Sequence, residues 1–185
     1  MDRSETDEIR GEISLMVMRG YRPSEPTIVE RVAQPYVAIR GLVTMRAIGA
    51  VADRFPEVFG YLAARGIEPA AAPFLKYNLI DMEHELEIEA GVPVAAEMNV
   101  SDEVISSVLP GGRYATVTQI GPPDALIDIT SALLAWAADR DLHWDRVETT
   151  EGERWGCRLE IFKTDPSHEP DANKWETELA FRLAE

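Results

Sequence analysis

The period of the apolar positions changes several times along the chain, and each change marks an element. Residues 27–32 and 35–44 are rich in β-branched side chains and predict two strands. In the second, Tyr36, Ala38 and Arg40 face one way, while Val37, Ile39 and Gly41 face the other. The period then lengthens. Ile48, Val51, Phe55, Val58, Phe59 and Leu62 recur at spacings of three and four, which makes one helical stripe. Pro56 falls inside it, so the stripe is expected to kink, or to split into two short helices with Pro56 near the start of the second. Gly66 suits a C-terminal cap. Residues 74–80 and 85–94 return to the strand period and read as an antiparallel pair. In the second of these, Leu86 and Ile88 share one face and Glu87 and Glu89 the other.

The same order then repeats. Residues 104–109 and 113–120 predict strands around a Pro110-Gly111-Gly112 hairpin turn. Pro122 and Pro123 open a helix whose stripe is Leu126, Ile129, Leu133, Trp136 and Ala137. Residues 154–163 and 174–183 form a last strand pair joined by a polar loop. Residues 59–67 align with 134–142 without a gap, Phe74-Leu-Lys-Tyr77 with Leu159-Glu-Ile-Phe162, and Glu87-Ile-Glu89 with Glu176-Thr-Glu178. The expected fold is therefore α+β, built from two pseudo-symmetric halves over 27–94 and 103–183. Together they form one antiparallel sheet with the helices on one face and a ligand cleft between the halves. The face opposite the helices is expected to be left for a ligand or a partner. Residues 27–185 read as a single domain and residues 1–26 as an N-terminal extension, partly flexible. Within the extension, 1–10 is polar and expected to fray, 13–18 is a short apolar patch (a strand or a docking arm), and Pro23 and Pro26 punctuate a turn.

Charge narrows the partner. The 185 residues carry 18 Lys+Arg against 33 Asp+Glu, a net charge of −15. Direct nucleic-acid binding needs a basic patch, and anionic lipid repels such a chain, so neither nucleic acid nor membrane is expected as a partner. A cation or a neutral apolar molecule remains attractive. The single cysteine, Cys157, excludes an intramolecular disulfide. No uncharged run approaches the roughly 18 residues of a membrane helix. The first ten residues have no signal-peptide core, so a cytoplasmic protein is the default expectation. No metal is expected, because Glu83, His84 and Glu85 point alternately to opposite faces, and His143 and His168 stand apart. No cofactor is expected either, since Gly111-Gly112 lacks the strand-loop-helix setting of a phosphate loop. Cys157 reads as a buried thiol rather than a nucleophile.

Positions where the halves differ point to function, because both halves need the same core. Leu75 of the first half corresponds to Glu160 of the second. Period two puts Cys157, Leu159 and Ile161 on one face of that strand, and Arg158, Glu160 and Phe162 on the other. The first set reads as the helix-covered core, leaving Glu160 on the uncovered face beside an aromatic. Three uses are open to it. It can neutralise a cationic ligand that stacks on the rings, act as a general acid or base, or pair at the surface with Arg158 or Arg182. Glu178 and Glu89 carry the same ambiguity. Trp155 and Trp175 read as pocket wall or core.

These residues resemble a known family. Tyr77 with the acidic strand after it and the stretch Glu89-Ala-Gly-Val-Pro-Val94 resemble the first-half signature of GyrI-like proteins, the effector-binding domain of many AraC- and MerR-type regulators. Leu109-Pro-Gly-Gly-Arg-Tyr-Ala115, then Gly121-Pro122, resembles the start of its second half. Glu160-Ile-Phe162, Thr164-Asp-Pro166 and Thr177-Glu-Leu179 resemble its ending. The resemblance implies a cleft that binds amphipathic, lipophilic and often cationic small molecules. It implies Glu160 as the counter-charge, with Tyr77, Tyr36, Trp155, Phe162 and Trp175 as candidate walls and Glu178 as a further ligand-binding candidate. The family's "H-x-G-P-Y" reads Gln119-Ile-Gly-Pro-Pro123 here, and the tyrosine of its "E-x-Y" is Phe162. Some GyrI-like proteins hydrolyse cyclopropane-bearing natural products with a Tyr and a Glu. An enzyme of that kind would here use Glu160 with Tyr77 or Tyr36. The leading expectation is a stand-alone sensor or sequestration protein. A module that closes on a protein partner is the third reading.

Overall fold

A computed structural model describes residues 22–100 and 103–185. In chain order its strands are β1 (Arg22–Pro23), β2 (Thr27–Arg31), β3 (Gln34–Val43), β4 (Phe74–Ile80), β5 (Leu86–Pro93), β6 (Val104–Leu109), β7 (Gly112–Ile120), β8 (Arg146–Thr149), β9 (Gly152–Trp155), β10 (Arg158–Phe162) and β11 (Glu176–Arg182). The helices are α1 (Ile48–Ala52), α2 (Phe55–Ala63) and α3 (Leu126–Ala138). Short 3-10 turns over Met45–Ala47 and Pro123–Ala125 lead into α1 and α3. The apolar patch at 13–18 lies outside the described residues.

The helical stripe of the first half divides at its proline. Pro56 sits in the first turn of α2, where its missing N–H costs no intrahelical bond. Gly66 closes the segment at φ 65°, a left-handed conformation natural to glycine. In α3, Leu126, Ile129, Leu133 and Ala137 of the expected stripe are buried, and Trp136 is half-buried.

All strand pairs are antiparallel, and the order is β1-β7-β11-β10-β4-β5-β3-β6, with β2 also on β7. The pseudo-twofold axis runs between β10 and β4. On one side stand β10, β11 and β7, and on the other their counterparts β4, β5 and β3. The outermost strands are exchanged. β2 comes from the first half but pairs with β7, and β6 comes from the second half but pairs with β3. Residues 110–112 are therefore not a hairpin turn, as their Pro-Gly-Gly composition suggests, but a crossing between halves. The exchange gives each half a strand from the other, a preference of the assembled sheet that no local turn signal carries. β1 and β2 lie along the same edge of β7, and the prolines at 23 and 26 suit an edge strand, where no ladder hydrogen bond is lost.

A second difference lies in the last strand pair. Residues 154–163 are not one strand. β9 ends at Trp155, turns back on β8 and touches the end of β4 at Leu79 and Ile80, while β10 begins at Arg158. Gly156 lies at the break, where a Cβ would clash with the Asp145 carboxylate.

Both faces of the sheet carry core. On the helix face, Leu75, Tyr77, Ile88, Val117, Leu179 and Phe181 pack against Val51, Leu126, Ile129 and Leu133. Val37, Ile39 and Val92 pack there against Val58 and Leu62. On the other face, Tyr36, Phe74, Tyr114, Cys157, Leu159 and Ala180 form a second apolar layer. Val29 of β2 and Ile105 and Leu109 of β6 join that layer. Edge and centre meet there, so the sheet bows around this face and closes it upon itself. This overturns the expectation that Cys157, Leu159 and Ile161 lie under the helices. Glu160, by the same alternation, is on the helix face. Period two separates the faces of a strand but cannot say which faces a helix when both are buried.

Candidate functional site

The helices do not cover the whole of their face. α3 packs on β7, and α1 and α2 pack on β3 and β5. The central strands β10 and β4 lie between these supports, and the gap above them is a cleft of about 470 Å³. That volume is in the range of small-molecule sites. Met45 and Ile48 form one wall, and Leu126, Thr130 and Leu134 of α3 form the other. Tyr77, Ile80, Arg158 and Glu160 form the floor. Met82 and Ile127, both strongly exposed, give the mouth an apolar rim. Arg146 of β8 and Glu153 of β9 also line it, as an ion pair at 2.6 Å.

Glu160 sits at the axis. Tyr77 faces it on the cleft floor, and the Arg158 charge acts on it from two residues away on the same face. Burial raises the Glu160 carboxyl above its ordinary range, while the Tyr77 hydroxyl and Arg158 pull in the opposite direction. The Tyr77 phenol is pushed up by burial and by the carboxylate it faces. A β-bulge in β4 between Tyr77 and Leu79 helps to set this geometry. It keeps Tyr77 and Ile80 on the cleft side and lets Asn78 between them reach the other face.

Arg158 has aromatic neighbours on several sides. Its guanidinium lies 4.6 Å from the Phe181 ring centroid, 4.9 Å from that of Trp155 and 5.6 Å from that of Tyr77. Trp155 is itself buried in a ring cluster with Trp144 and Phe181, at centroid distances of 5.9 and 5.7 Å. The sequence offered Arg158 only as a surface partner of Glu160, and offered no role for Arg146 or Glu153. The signal for Arg158 was its place two residues before Glu160 on the same strand face.

The other residues singled out from the sequence are dispersed. Phe162 stands next to the cleft and packs edge-to-face on Phe55, 5.9 Å between centroids. Tyr36 is on the opposite face, where its hydroxyl donates to Glu89 at 2.7 Å. Glu89 is 1% exposed and also accepts from Arg40 at 2.7 and 3.0 Å and from Asn78 at 2.8 Å, with Lys76 at 3.8 Å. Burial by itself would raise this carboxyl, but the Lys76 charge and the three hydrogen-bonding partners outweigh it and hold it below the ordinary range. Glu178 also faces away from the helices and is paired with Arg31 and with Lys163, the latter at 2.6 Å. It borders a second cavity of about 550 Å³. Trp175 lies outside the strands, at the end of the turn Ala172–Lys174, and its indole N–H donates to the Glu169 carbonyl at 2.7 Å. Cys157 is fully buried on the bowed face, and burial pushes its thiol up. Among the described residues, no group of three or more His, Cys, Asp or Glu is arranged to hold a metal ion, and no helix is long and apolar enough to cross a membrane.

Solved structures share this architecture. The chain is similar to EcmrR in a cryo-EM EcmrR–DNA complex (EcmrR-RPo), with a TM-score of 0.72 and 17% identity, over 98% of this chain. It spans 64% of the length of that EcmrR chain. Against a crystal structure of the EcmrR C-terminal domain the TM-score is 0.68 at 18% identity, over 89% of this chain and 98% of that one. SAV2435 bound to tetraphenylphosphonium is also similar, with a TM-score of 0.56 at 10% identity, over 87% of this chain and 94% of that one. At such identities the likeness is one of fold. No curated protein matches the chain. The family model of the GyrI-like small molecule binding domain matches residues 24–184, nearly all that the strand exchange ties together. On that match, and with the cleft on its axis, the chain belongs to the GyrI-like small molecule binding domain family.

Proposed function

We propose that the cleft over β10 and β4 captures a lipophilic small molecule of cationic character, with Glu160 as its counter-charge and Tyr77 as a wall. The observation that carries this reading is a carboxylate recessed on the pseudo-twofold axis, at the floor of a cleft whose walls and rim are largely apolar. A buried carboxylate is costly to leave alone, and a cation with aromatic groups satisfies it while burying its own apolar surface. SAV2435, of the same fold, is seen with tetraphenylphosphonium, a ligand of this chemistry. In the cell such a protein would act as a sensor or as a sequestering agent for the compound. The test is titration of tetraphenylphosphonium into wild type and Glu160→Gln. The expected result is a loss of about 1–3 kcal/mol in the variant, the worth of a hydrogen-bonded charge in a desolvated site. Equal affinity in the two proteins would remove Glu160 from the role.

One observation favours a second reading. The Tyr77 phenol faces the Glu160 carboxyl on the cleft floor, the pairing a hydrolase of strained or electrophilic compounds would use to hold Glu160 as general base on a water molecule. Tyr36 is bound to Glu89 on the far face, which leaves Tyr77 as the phenol for this chemistry. Turnover of a cyclopropane electrophile by wild type, absent in Glu160→Gln, would establish it.

A further inference from the structure

We propose that Arg158 is a built-in cation of the cleft, lodged in the aromatic subsite beside Glu160, and that an incoming lipophilic cation has to displace it. The inference rests on the binding reading above and adds what sets the affinity and selectivity of that site.

The geometry is that of a cation site already filled. Phe181, Trp155 and Tyr77 all have ring centroids within 5.6 Å of the Arg158 guanidinium, inside the roughly 6 Å over which a cation is held by a ring. Arginine is the residue best suited to this, since its group is planar, always charged and more weakly hydrated than an ammonium. The same guanidinium supplies positive charge to Glu160. The remaining charges in the lining cancel as well, because Arg146 is paired with Glu153. Arg146 also lies 5.5 Å from the Trp155 ring, so that indole is between two resident cations. Two arginines and two glutamates leave the cleft without net charge, although the chain as a whole carries −15. Arg158 is half-buried, lines the cleft and has a long flexible stem, which lets its head move aside toward water. The cleft then discriminates against weak cations. Only a ligand that offers Glu160 a charge and the rings enough apolar surface can replace a group that is tethered and therefore always present.

The experiment compares tetraphenylphosphonium with neutral triphenylphosphine oxide on wild type, Arg158→Met and the double variant Arg158→Met/Glu160→Gln. Arg158→Met is expected to bind the phosphonium more tightly by on the order of tenfold, the equivalent of one displaced cation–ring contact. It is expected to change the oxide by less than about twofold, and the double variant is expected to lose the gain. An unchanged or weaker phosphonium affinity in Arg158→Met, beside a wild type that binds it, overturns the inference and leaves the binding reading standing. Equal gains for both probes also overturn it, because they show that the shorter side chain only made room. A gain that survives in the double variant does the same. If no variant takes either probe, the binding reading and this inference fall together. Arg158→Gln serves in place of the methionine variant should that one fail to fold.

Discussion

Glu160 on β10 stands directly opposite Leu75 on β4, and the two occupy matching positions in the two halves of the chain. The pseudo-twofold axis therefore passes between them. Cross-strand partners lie about 5 Å apart, and two carboxylates there would repel strongly. A duplicated fold can place one acid at this point at far less cost than two, and here the partner position is leucine. The next matching pair is unequal too. Tyr77 keeps its hydroxyl beside Glu160, while Phe162 has none and packs on Phe55. The polar part of the cleft is thus one-sided although its frame is symmetric.

Under the proposed role, the raised Glu160 carboxyl predicts a pH dependence of cation binding. A carboxylate attracts a cation only when ionised, and burial makes this one take up its proton above the ordinary value of 4.5. Tetraphenylphosphonium affinity is expected to fall as pH is lowered from neutral, beginning before a solvent-exposed glutamate would protonate. Glu160→Gln is expected to show a flat profile over the same range. Titrations across a pH series check it, and a flat wild-type profile would sink the charge role.

Tyr77→Phe separates the two functional readings. Removing the hydroxyl withdraws a polar group that favours the ionised carboxylate, so Glu160 should become still harder to ionise. Phosphonium affinity at neutral pH is expected to fall by about 1 kcal/mol or less. If the protein is a hydrolase, the same variant should lose far more turnover than ligand affinity. Parallel measurement of binding and turnover distinguishes the cases.

Glu89 is expected to matter for stability rather than for binding. It is the shared acceptor of Tyr36, Arg40 and Asn78 on the face away from the cleft. Glu89→Gln leaves Lys76 and Arg40 without their common counter-charge and should cost roughly 3 kcal/mol, as for one member of a buried ion pair. For a chain of this size that is about 6–12 °C in melting temperature. The folded-state carboxyl is depressed, so its stabilisation is present above the unfolded value and lost as pH falls through the folded one. Acid unfolding should therefore begin at higher pH in wild type than a domain of unpaired carboxylates predicts, and Glu89→Gln should flatten that acid limb. Phosphonium binding is expected to be unchanged.

Gly91→Ala tests the close packing behind the same network. A Cβ at Gly91 would lie 2.4 Å from the Phe74 ring, which is fully buried and in edge contact with Tyr36 at 5.2 Å. The ring has to move and take Tyr36 with it. A loss of about 1–3 kcal/mol is expected from chemical denaturation, as for overpacking in a close-packed core. A variant as stable as wild type would show that this layer is looser than its contacts imply.

The local elements were largely legible before the fold was seen. The stripe from Ile48 to Leu62 and the position of Pro56 foretold a divided helix, because helical periodicity and the missing proline N–H act within one segment. The alignment of 59–67 with 134–142 foretold the two halves, and the substitution of Glu160 for Leu75 drew attention to the axis. What could not be read were relations between segments. β2 and β6 change places between halves, so the Pro-Gly-Gly at 110–112 carries a crossing and not a hairpin. The hairpin of β8 and β9 went unread because residues 146–149 are exposed and show no apolar alternation.

The site divides in the same way. Sequence by itself determined that Glu160 shares a strand face with Arg158 and Phe162, since alternation follows from backbone geometry alone. Tertiary structure decided which side of the sheet that face lies on. The bowing of the sheet buries Cys157 and Leu159 and half-buries Ile161 without helices, and the helices stand apart above Glu160. It also decided that Tyr77 and Arg158, and not Tyr36 or Trp175, are the neighbours of the carboxylate. A strand's period is set by covalent geometry and is written in the chain, whereas its surroundings are set by which apolar layers can close over one another, and that balance exists only once all the segments have packed.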